Sequence, residues 1–140
     1  MALTDGQATQ NDALINLHYA GIEAILITLA GTVSKGDVLG YSSGWKRALA
    51  TVATAIPGRL IAARSGVSGD VIEAYPACIL KGRFSDATVG VPVYVEEGTG
   101  NGKYTETQPS TSGDVNTPVG LTLSATEAFL APAFFRSAVA

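Results

Sequence analysis

The sequence predicts an all-β domain: a small compact β-sandwich or partly closed barrel with little helix and an extended N-terminal arm. Three observations carry this. Residues 86–132 hold three short apolar runs, at 91–95, 118–123 and 128–130, joined by Gly-, Ser- and Thr-rich connections. Short β-branched runs bounded by turn-forming residues mark small antiparallel strands. That segment nowhere shows the 3.6-residue apolar period that a helix of 11 or more positions would carry. Finally, the chain echoes itself. Residues 33–41 followed by 56–62 parallel residues 87–95 followed by 117–123, each pair reading turn, apolar strand, exposed loop, Pro-containing turn, apolar strand. The echo is either two half-units packed face to face or the shared grammar of β-hairpins.

Taken in order, residues 1–12 are polar and unpatterned, as expected of an arm that orders only against a partner. Residues 13–19 (ALINLHY) suit either one or two helical turns capped by Asn11 or Asp12, or a strand in which Leu14, Asn16 and His18 alternate with Ile15, Leu17 and Tyr19. Gly21 ends either form. Residues 22–30 read as a mostly buried strand. The Ser34-Lys35-Gly36-Asp37 turn leads into a strand from Val38. Residues 45–53 form a third apolar run, with room for about two helical turns before Ile56-Pro57-Gly58 stops them. Residues 59–64 form a short strand. Residues 71–80 contain Pro76, which cannot donate to a ladder, so they form an edge strand or two strands around a bulge. The adjacent Phe134 and Phe135 in the tail are set to pack on the body or on a neighbour. The boundaries implied are an arm at 1–20 and one β domain at 21–140.

With 140 residues the chain can bury roughly 68 % of its unfolded surface. Charged residues are 15 % against about 25 % in an ordinary domain. So neutral a surface fits burial against partners or copies, or a very stable monomer. A net charge of −3 with nine scattered Lys and Arg argues against a nucleic-acid partner. Cys78 is the single cysteine, which excludes an internal disulfide and reads as a small buried side chain. The N-terminus lacks the pattern of a signal peptide, and residues 20–33 are too short and polar to span a bilayer, so a soluble protein without membrane contact is expected.

Chemistry finds little purchase. His18 is the one histidine, no Gly-x-Ser-x-Gly elbow occurs, and Cys78 lies far from His18 in sequence, so neither a catalytic triad nor a metal cluster is expected. Gly98-Thr99-Gly100-Asn101-Gly102-Lys103 lacks the first glycine and the hydroxyl residue of a phosphate loop, and reads as a hairpin tip. Glu96 and Glu97 point to opposite faces if extended and read as a hydrated loop edge. Trp45-Lys46-Arg47 reads as ordinary surface. No enzyme activity and no cofactor are expected.

From about residue 28 to 132 the chain resembles tailed-bacteriophage capsid decoration (cement, head-stabilising) proteins of the β-tulip type. The resemblance rests on Lys35-Gly36-Asp37-Val38-Leu39-Gly40-Tyr41, Gly69-Asp70-Val71-Ile72-Glu73, Gly90-Val91-Pro92-Val93-Tyr94-Val95, and Ser112-Gly113-Asp114-Val115 leading into Val119-Gly120-Leu121-Thr122-Leu123-Ser124. It implies a virion protein made in the host cytoplasm and placed on the outer capsid surface, often as a homotrimer. There it would bind the major capsid protein and hold neighbouring subunits together. Family arms lie across the capsid and add to its sheets, which nominates Leu3, Thr4, Leu14, Ile15, Leu17, His18 and Tyr19 as partner-binding residues. The arm matches no fixed motif residue by residue. The alternatives are another virion part, such as a head-fibre base or tail protein, and a small ligand- or glycan-binding β-sandwich.

Overall fold

A computed structural model describes residues 16–19 (by their backbone pairing), 23–98 and 102–134. The described chain is all-β, with eleven strands in two antiparallel sheets and one 3-10 turn at Pro132–Phe134. The strands are β1 Asn16–Tyr19, β2 Ile25–Thr28, β3 Val38–Tyr41, β4 Trp45–Arg47, β5 Leu60–Ala62, β6 Val71–Tyr75, β7 Cys78–Lys81, β8 Pro92–Val95, β9 Tyr104–Thr105, β10 Pro118–Thr122 and β11 Glu127–Leu130. The three runs read in residues 86–132 are β8, β10 and β11.

The echo in the sequence is a repeat of topology. One sheet runs β2-β6-β5-β3-β4; the other runs β7-β11-β10-β8-β9, with β1 added outside β7. Each half therefore lays five successive strands down in the same order. The turns repeat as well. Gly36 N donates to Ala62 O (2.8 Å) and Ala62 N to Asp37 O (2.9 Å) in the first half. Gly90 N donates to Thr122 O and Thr122 N to Val91 O, both at 3.0 Å, in the second. Gly36 and Gly90 hold φ of 87° and 77°, the left-handed region that only glycine enters without strain, so each tight turn into its strand needs that residue.

The two halves make different cores. The first sheet curls round Ile27, Leu29, Val33, Leu39, Leu60, Ala62, Ile72 and Ala74. Its edges meet at one point, where Ala30 N donates to Trp45 O (2.9 Å) beside a Leu29–Trp45 bridge. The two edges thus touch through a single bridge, and the sheet is not a closed barrel. On its other face, Val38 and Ile61 join Leu80, Val93, Val95, Val119, Ala128 and Leu130 of the second half in a shared core. Burying a side chain of that size contributes about 1.5–3 kcal/mol.

Several sequence expectations change. Residues 16–19 take the strand option, as β1, while 13–15 lie outside the described residues. Only Ile27 of the four β2 residues is buried, with Ile25 and Leu26 exposed, because β2 is an edge strand with one face outward. Residues 71–80 are two strands, as the second alternative had it, but what separates them is a link between sheets and not a bulge, and neither is an edge strand. β6 and β7 are interior strands of different sheets, and Pro76-Ala77 carries the chain between the halves, where no ladder donor is needed. Residues 45–53 are not helical. β4 is followed by an extended stretch in which Ala48 N donates to Val38 O and Ala50 N to Glu96 O, because the shared core draws Ala48 and Ala50 inward. Glu96 is buried rather than hydrated, since its backbone lies in that same crossing. Within the polar loop at 99–108, Tyr104 and Thr105 are fully buried as β9.

Candidate functional site

The most elaborate polar cluster surrounds Asp37. The Ser34–Asp37 turn, closed by Asp37 N to Ser34 O (3.0 Å), points the carboxylate into the junction of the halves. Its Oδ2 accepts from Ser34 N (2.8 Å) and Arg47 Nε (2.6 Å). Its Oδ1 accepts from Arg83 Nη2 (2.7 Å). Arg83 also donates to Lys35 O (3.1 Å), and Arg47 Nη2 to Ser34 Oγ (2.9 Å). The Arg83 guanidinium lies 5.6 Å from the centroid of Tyr104, whose hydroxyl donates to Gly36 O (2.7 Å). Phe84 meets the same ring edge-on at 5.6 Å.

Burial drives the Tyr104 phenol well above its ordinary pKa, with the nearby Arg83 charge opposing the shift. Burial likewise pushes the Cys78 thiol up to about 12. The Asp37 carboxylate is buried and held between two guanidiniums. The cluster joins four segments of backbone, at 34–37, 47, 83–84 and 104, and its chemistry is that of a lock. Arg47, read as ordinary surface, belongs to it, and Asp37, Arg83 and Tyr104 were not singled out from sequence.

Among the described residues, no group of three His, Cys, Asp or Glu is arranged to hold a metal ion. A narrow cleft between Pro57, Gly58, Arg59, Val95, Val115 and Pro118 has a volume of about 10 Å³, the room of about one water. Pockets for drug-sized ligands run from about 300 to 1,000 Å³. No helix among the described residues is long and apolar enough to cross a membrane.

Of the proposed partner-binding residues, Leu3, Thr4, Leu14 and Ile15 lie outside the described residues. Leu17, His18 and Tyr19 lie on β1, the outermost strand of the six-stranded sheet. Leu17 pairs with Leu80 and Tyr19 with Ile79, and the register slips between them, at His18. Phe134 in the 3-10 turn is 62 % exposed, while Phe135 lies outside the described residues.

No protein-family model matches the chain, and no match was found among curated proteins or among solved structures.

Proposed function

We propose that this protein is a structural component of a tailed-phage head, binding the outer capsid surface, associating with its own copies and holding neighbouring major capsid subunits together. The observation that carries this reading is the set of turn-and-strand segments resembling decoration proteins. Lys35 to Tyr41, Gly90 to Val95 and Val119 to Ser124 contain β3, β8 and most of β10, which are interior strands of the repeated sheets. The low charge of the chain supports it, because a neutral surface is cheaply desolvated against a lattice of subunits. β1 supports it too: the N-terminal region already engages a sheet edge by strand addition, the mode in which an extended arm gains main-chain hydrogen bonds without a preformed groove.

The test is attachment. Removal of residues 1–12 leaves β1 and both sheets in place, so the truncated protein is expected to melt as the full chain does and to lose co-sedimentation with undecorated heads. Equal co-sedimentation by both proteins contradicts the role of the arm. Failure of the full chain to bind contradicts the reading.

A further inference from the structure

The repeat sets a covered surface of the first half beside an uncovered one of the second. In the first half a row crosses three strands, Val38 pairing with Ile61 and Ile61 with Tyr75. Val38 and Ile61 are fully buried and Tyr75 packs beside them, because this row lies against the inner face of the second sheet. The same three positions in the second half are Pro92, Leu121 and Phe129, Pro92 pairing with Leu121 and Leu121 with Phe129. There the row is open: Leu121 is 41 % and Phe129 37 % exposed, and Pro92 is exposed as well. Phe129 pairs onward with Ile79, extending the row across a fourth strand. Four strands at about 4.8 Å spacing span about 14 Å.

We propose that this face of the second sheet is where a second copy of the chain docks. The face that covers the equivalent row is buried inside each chain, so a copy meets the open row with its own open row, face to face. The charges agree. Lys81 and Glu127 pair two residues along from Ile79 and Phe129, on the same face, so the apolar row is bordered by one charge of each sign and is self-complementary. A standard interface buries roughly 800 Å² per partner, and a single row about 14 Å long is a short contact of the kind that high local concentration favours. This rests on the self-association in the reading above, and is indifferent to whether the protein sits on heads.

Sedimentation equilibrium of the full chain over a wide concentration range tests it, alongside the double variant L121K/F129K. The control is V67K, at a position 55 % exposed on a distant turn. All three are checked for unchanged thermal melting. The expected result is self-association of the wild type and V67K, weakened about tenfold or more in L121K/F129K, as removal of central apolar anchors does. A wild type that stays monomeric throughout overturns the proposal, and so does an oligomer that the double variant leaves intact. Head binding is read separately, by the co-sedimentation above, so failure of one does not mask the other.

Discussion

Asp37 and Arg83 form an ion pair of 2.7 Å across the two halves of the repeat, with side chains 1 % and 0 % exposed. Asp37 stands just before β3 and Arg83 just after β7, so the pair joins the entry of one sheet to the exit from a strand of the other. Arg47 bonds the same carboxylate from the surface side.

Removing Asp37 takes the carboxylate from the fully buried Arg83, a change that typically costs about 3–5 kcal/mol. Asp37→Ala is expected to lose about that much in urea unfolding, and Arg83→Ala less, because Arg47 and Ser34 N still bond the carboxylate. The double variant should lose clearly less than the sum. Additive losses would show that the two side chains act independently.

Tyr104 and Cys78 make stability fall at alkaline pH. Both groups keep their protons longer in the folded state, so their contribution is complete below the unfolded pKa and is lost as pH rises through the folded one. For the thiol the window runs from about 9 to about 12. For the phenol it opens near 10 and extends upward. In a Cys78→Ala background the remaining decline above about pH 10 is assigned to Tyr104, and Tyr104→Phe should flatten it. The same variant loses the bond to Gly36 O and so is less stable at neutral pH, by about 1–3 kcal/mol if that carbonyl is left unsatisfied. An unchanged alkaline slope in Tyr104→Phe refutes the assignment.

Gly120 in β10 has no room for a side chain, because a Cβ there would strike the backbone carbonyl of Phe129 on β11. Gly120→Ala is expected to cost roughly 1–3 kcal/mol or more, since backbone must move. Gly31→Ala meets only the Lys46 Cγ at 3.7 Å and should be neutral or slightly stabilising. Thermal melts of the two variants decide this, and equal losses would contradict the packing described.

The all-β class and the doubled plan were legible because both rest on local grammar. The Gly36 and Gly90 turns, each followed by an apolar strand, occur twice in the sequence and twice in the fold. Burial was less legible where it depends on what lies opposite. β2 is as apolar as a core strand, yet its place at a sheet edge leaves Ile25 and Leu26 outside. Tyr104 sits in a polar loop by composition and is buried because the crossing at Gly102 and Ala48 draws it in, with Gly102 N donating to Ala48 O at 2.7 Å. Asp37 read as one residue of a turn. Its role needs Arg83, which is brought to it only by the packing of the two sheets.

The head-surface role is tested most directly by immunogold electron microscopy of a lysate from the source, with antibody raised against the purified protein. Label spread evenly over icosahedral heads is the predicted result. Label on tails or at a single vertex, or no label on any particle, would contradict it.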